Sequence, residues 1–167
     1  MLMNQETSKA LDVLYNQFFN LNALFDNAVS YMLNEWCMPN ASEIIHHNLA
    51  HGFPIMADMI SEIKDNYDER SIRMELPKHD ESYNDLSDMM DNLLGYCNDT
   101  YEMIKQVGKV AMDNDDFNVV SDLVGFTTKF NKIIGQVITL QNKAKQMPTE
   151  YDKFDRHIDK WGIVGLE

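Results

Sequence analysis

Residues 66–81 read NYDERSIRMELPKHDE. The stretch lacks a helical apolar repeat; Ile72, Met74 and Leu76 alternate instead, as in an extended segment lying against a surface. On either side the pattern changes. Upstream, Ile45, Leu49, Gly52, Met56, Met59 and Ile63 recur at intervals of four and three, and downstream Leu86, Met90, Leu93, Cys97, Thr100, Ile104, Val107 and Ala111 do the same. Each run is one face of an amphipathic helix, over about 42–65 and about 82–112. The about 16 residues between them reach roughly 50 Å when extended, more than the ~39 Å of a 26-residue helix. The link can therefore run the length of a bundle and start its third helix parallel to the second.

Two further runs complete the set. Leu11, Leu14, Phe18, Leu21, Phe25, Ala28 and Met32 predict a helix over about 8–36, and Val119, Leu123, Phe126, Phe130, Ile133, Val137 and Leu140 one over about 116–145. The links at 37–40 and 113–116 are short and can only join antiparallel neighbours. After Pro148, residues Tyr151, Phe154, Ile158 and Trp161 predict a short fifth helix over about 149–161, docked on the bundle or on a neighbouring subunit. The expected fold is all-α: one domain over 1–167, a four-helix bundle running up, down, down, up with a long crossover between helices two and three. Ser42 is the expected N-cap of helix two, and Pro54 should kink it, freeing the Ala50 carbonyl for a water. Asp113, Asp115 and Asp116 read as caps at a turn.

Composition narrows the function classes. The 167 residues carry 14 Lys+Arg against 27 Asp+Glu, a net charge of −13, and Lys9 is the single base before Leu11. Nothing here supplies the positive surface that binds phosphate backbones, so no nucleic-acid partner is expected. No signal sequence or long apolar run is present, which predicts a cytoplasmic protein with no membrane partner. Cys37 and Cys97 form no CxxC pair and read as reduced core thiols. Met56, Met59, Met89, Met90 and Met103 read as core, and Trp36 as a packing or interface anchor. Tyr31, Trp36 and Phe53 are expected at the surface, where a second copy would cover them: a dimer at least. There is no glycine-rich phosphate loop or GxSxG, so a hydrolase or transferase finds no support.

Two stretches resemble branches of the ferritin-like superfamily. SYNDLSDMM at 82–90 and the hinge IKQVGKVAMDNDDF at 104–117, with a small terminal helix to follow, resemble bacterial non-haem ferritins over about 82–145. EWCMPN with ASEIIHHNLAHGF, within 35–66, resembles Dps-type mini-ferritins. The resemblance implies a ferritin-like bundle, iron storage or sequestration, and a homo-oligomer of 12 or 24 subunits.

It also implies where metal would sit. The ferritin positions fall at Ala23, Phe53, Met56, Cys97, Lys129 and Lys132, whose apolar groups and ammonium ions cannot hold Fe2+; a normal intra-bundle ferroxidase centre is missing. The one Glu-x-x-His, Glu43 to His46, lies in the first turn of helix two. On the Dps pattern, an inter-subunit metal site takes Glu35, His47 and His51 from one chain and Glu62 from its partner, beside Asn66. His47 and His51, at i and i+4, share a helix face. Because Glu stands for the family's first His and His for its acid, the set suits a single Zn2+ or Fe2+ as well as a dinuclear iron centre. His46, His47 and His51 read equally as a solvated polar face.

Two functions follow as expectations. The first is an iron-handling subunit without the intra-bundle centre; enzyme activity leans towards none, a Dps-like ferroxidase being the form it would take. The alternative is a non-catalytic scaffold or ligand-binding protein in which Lys129 and Lys132 face the former metal pocket, partnered by Glu102 or Asp26.

Overall fold

The computed structural model describes residues 2–166; Met1 and Glu167, the ends of the domain expected over 1–167, lie outside the described residues. Helix α1 spans Gln5–Trp36, α2 Pro39–Ile45, α3 Gly52–Asp65, α4 Leu86–Asp113, α5 Phe117–Gln146 and α6 Tyr151–His157. A π-helical turn, His46–Ala50, joins α2 to α3, so these three form one interrupted rod. Counted so, the chain is all-α with five helices: four long ones packed as a bundle, a long loop over 66–85, and a short C-terminal helix.

Contacts fix the helix directions. Asp12, Asn22 and Asp26 of α1 bond Lys64, Ala50 and His46, so the interrupted rod runs against α1. Thr7 near the start of α1 bonds Asp116 beyond the end of α4, and Tyr31 near its end bonds the carbonyl of Tyr83 before α4 begins. Thus α4 also opposes α1 and is parallel to α3. Gln141 of α5 reaches Asp91 of α4 at 2.7 Å, and the Leu86 amide donates to the Pro148 carbonyl at 3.0 Å, so α5 returns antiparallel to α4.

The parallel pair is possible because the loop is strapped to α1. Asn16 Nδ2 donates to the Ile72 carbonyl at 2.7 Å and its Oδ1 accepts the Met74 amide at 2.7 Å, as a neighbouring β-strand would. One turn earlier Asp12 Oδ1 accepts the Ile72 amide at 3.1 Å, and one turn later Asn20 meets His79. The Arg73 guanidinium lies 3.7 Å from the centre of the Phe19 ring. Ile72 and Met74 stay exposed; the polar edge of α1, rather than apolar alternation, anchors this segment.

Inside, α1 and α3 contribute Phe18, Phe25 and Phe53, and α5 contributes Phe126 and Phe130, all essentially without solvent contact. Phe18 packs on Phe126 and Phe130 with ring centroids 5.2 Å apart, and Phe25 on Phe53 at 4.7 Å. Leu93, Cys97, Thr100, Ile104 and Val107 of α4 close the opposite side.

Several expectations are corrected in detail. Helix two begins at Pro39, whose missing amide suits a first turn, and Ser42 is buried, not its cap. The cap comes from elsewhere: Asp155 of α6 accepts the buried Ala41 amide at 2.7 Å. Helix three starts at Leu86, capped by Asp85, later than 82. Asp116 precedes α5 without capping it by its side chain, which serves α1 through Thr7 and the Asn4 amide. Phe53 is fully buried; Tyr31 and Trp36 are half-buried and covered by their own chain, Trp36 stacked on Tyr151 at 4.7 Å and Tyr31 edge-on to Tyr83 at 5.5 Å. Cys97 lies in the core but Cys37 is exposed.

Helix α6 docks on its own bundle through Phe154 and Ile158. The chain then crosses between the interrupted rod and α5: Asn48 bonds the Ile163 carbonyl at 3.0 Å, and the Val164 amide bonds Gln136 at 2.7 Å. A Cβ on Gly52 would sit 3.3 Å from Leu166, so the missing side chain lets the tail lie close. Among the described residues no helix is long and apolar enough to cross a membrane.

Candidate functional site

The centre of the bundle is a packed core. Phe53, Met56 and Cys97 are fully buried among apolar neighbours, and Ala23 is half-buried on α1. Lys132 is exposed and Lys129 half-buried on α5. The partners suggested for these lysines are engaged elsewhere: Glu102 pairs with Lys105 at 3.1 Å on the surface, and Asp26 bonds His46 at 2.9 Å. The deeply buried ammonium is that of Lys64, against Asp12.

The most distinctive polar group lies where helix two is interrupted. Pro54 has no amide to offer the Ala50 carbonyl. The freed oxygen accepts Asn22 Nδ2 at 2.9 Å, a side chain in the place expected for water. The backbone takes up the mismatch as a wider turn, in which the His51 amide reaches the His46 carbonyl at 3.1 Å. Residues five apart are thereby brought over one another. The ring centroids of His46 and His51 are 4.3 Å apart, and His47 lies 5.2 Å from each. His46 Nδ1 meets Asp26 Oδ1 at 2.9 Å with both side chains partly in solvent, while His47 and His51 are exposed. Beside them runs an open groove of about 500 Å³, lined by Asp26, Val29, Leu33, Pro39, Glu43 and His46.

Of the residues singled out on sequence, His47 and His51 come together, and His46 joins them. Glu35 and Glu62 do not. Glu35 lies nine residues beyond Asp26 on α1, and Glu62 eleven beyond His51 on the rod, roughly 13 and 16 Å along their helices. All four residues of that set are exposed. Among the described residues no group of three or more His, Cys, Asp or Glu side chains could hold a metal ion; the imidazoles meet edge to face.

Sequence reading missed the bonds of Asp26, Asn22 and the ladder Asp12, Asn16, Asn20. The ladder had a signal in its i, i+4 spacing of short polar residues along one edge of an apolar helix. The Asp26–His46 pairing had none, since it depends on how α1 and the rod are set against each other. Burial pushes the Cys97 thiol up to about 12, and raises the hydroxyls of Tyr83, at the end of the loop, and of its neighbour Tyr96 on α4. These groups are kept neutral and suit packing, not acid–base work. No protein-family model matches the sequence, and no curated protein matches it.

Proposed function

We propose that this chain is a bundle of the ferritin-like arrangement in which packing has replaced intra-bundle chemistry, working as a non-catalytic scaffold or binding protein. One observation carries the reading: Phe18, Phe25, Phe53, Phe126 and Phe130 fill the interior where inward carboxylates would have to stand. The helix directions and the long strapped crossover support the architectural part. Aerobic loading with Fe2+, followed by metal content and light scattering, tests it. The expected result is no ferric core. Iron far above chain stoichiometry in a cage-sized particle would overturn it.

Iron handling is the second reading. It rests on the net charge of −13, which attracts cations, and on the exposure of Glu35, His47, His51 and Glu62, which leaves them open to a neighbouring copy. A homo-oligomer, dimer or shell, is part of that reading. Loss of bound iron in Glu62→Ala together with loss of assembly would favour it; iron uptake indifferent to Glu62 would not.

A further inference from the structure

We propose that the solvent face of α5 is an antiparallel two-fold interface between two copies of this chain. It uses neither the histidine cluster nor Glu35 and Glu62, so it holds whether or not the chain handles iron.

Helix α5 carries two stripes. One is the core stripe from Val119 to Leu140. The other lies on the opposite side over 117–142 and recurs at intervals of four and three, from Phe117 through Val124 and Thr128 to Ile138; every position in it is exposed and uncharged. Phe117, Val124 and Ile138 are 58%, 65% and 41% exposed. Gly135 has no heavy atom within 4 Å of where a Cβ would stand, so nothing in its own chain calls for a glycine in mid-helix. The Thr128 hydroxyl donates to the Val124 carbonyl at 3.1 Å, so this side chain can enter a dry contact with its polar atom already satisfied.

Size sets the register. Around a two-fold axis between Thr128 and Asn131, antiparallel copies bring each bulky position to a small or polar one: Phe117 meets the partner's Asn142, Ser121 the partner's Ile138, and Val124 the partner's Gly135. A parallel pair would set Val124 against the partner's Val124 and leave a gap where the glycines face each other. Towards α4 the stripe borders an open groove of about 350 Å³, lined by Tyr101, Ile104, Gly108, Val120 and Val124. The partner's Ile138 falls beside it.

Charge sets the direction independently. The turn before α5 carries exposed Asp113 and Asp115, and the last turn of α5 carries exposed Lys145. Among the described residues none of the three has an ion-pair partner in its own chain. Antiparallel pairing brings each Lys145 to the other copy's acidic turn, at both ends of the contact, whereas parallel pairing would oppose like charges. One helix pair with a flanking groove makes a small interface, so association is expected in the micromolar range.

Sedimentation equilibrium of the full chain across micromolar concentrations tests the interface, with circular dichroism to confirm that each variant is folded. The expected result is a reversible dimer, weakened by at least about 10-fold in Val124→Glu, which would bury an unpaired carboxylate at its centre. Lys145→Glu should weaken self-association, as should Asp113→Lys/Asp115→Asn, asparagine tolerating the left-handed backbone at 115. An equimolar mixture of those two variants should form a mixed dimer, because opposite charges meet again at both ends. All these positions are exposed, so the changes leave the core alone. A chain that stays monomeric throughout overturns the proposal, as does assembly unchanged in Val124→Glu or a variant mixture that fails to pair. Assembly lost in Glu62→Ala but untouched by Val124→Glu would also overturn it, and would place the contact on the rod instead.

Discussion

The Lys64 ammonium lies 2.5 Å from a carboxylate oxygen of Asp12, and the two side chains are 1% and 8% exposed. The same oxygen accepts the Ile72 amide at 3.1 Å, so one carboxylate ties the end of α3 to α1 and to the strapped loop. Desolvating both charges offsets much of their attraction, and the pair adds little over a well-packed apolar substitute. Its removal by halves is another matter.

Lys64→Met should therefore destabilise the chain by about 3–5 kcal/mol, because Asp12 is left buried and unpaired. Asp12→Leu/Lys64→Met should recover part of that loss, less the partner of the Ile72 amide. Urea unfolding of the two single variants and the double variant measures it. A Lys64→Met cost within experimental error would show that the buried charge is not what the ion pair holds in place.

Asn16→Ala should release the loop more than it unfolds the bundle. Two backbone bonds are lost, each worth about 1 kcal/mol net. The expected outcome is a drop of about 2 kcal/mol with faster tryptic cleavage after Arg70 and Arg73. Unchanged cleavage would mean that the His79 and Tyr31 contacts suffice to hold the segment.

The two cysteines should behave differently. Cys37 is exposed and Cys97 is fully buried, its thiol raised from 9.0 to about 12 by burial. A disulfide reagent at pH 8 should titrate one thiol per native chain and two after denaturation. Stability follows the same shift. Above pH 9 the unfolded chain loses the Cys97 proton while the native chain keeps it, so stability falls by up to about 1.4 kcal/mol per pH unit until the native thiol titrates near 12. The raised hydroxyls of Tyr83 and Tyr96 act in the same direction above pH 10. Cys97→Ala should flatten the first part of this decline.

Asp155→Ala should cost about 1–2 kcal/mol, since it strips the start of α2 of its one side-chain acceptor. Asp155→Asn keeps an oxygen there and should lose less. Differential scanning calorimetry of both variants tests the ordering, which reverses if burial of the charge outweighs the capping bond.

The helices were legible because burial repeats along each of them. A stripe such as Leu11, Leu14, Phe18, Leu21, Phe25 is a statement about one face of one helix, and needs no knowledge of what lies opposite. The length of the 66–81 link likewise constrained direction through reach alone. The candidate site was legible only in part. His47 and His51 announce themselves by spacing, but His46 joins them only through the wider turn, which arises where Pro54 cancels a bond and Asn22 on another helix replaces it.

By itself, then, the sequence determined that the chain is all-α and where its long helices lie, because these follow from local periodicity and residue type. Tertiary structure decided which polar side chains meet. Asp12 with Lys64, Asn16 with the loop, Asp26 with His46 and Asp155 with Ala41 each join residues far apart in the chain. No local pattern encodes such pairings; they are selected when packing of the apolar faces excludes water and leaves each buried donor and acceptor with only the partners within reach.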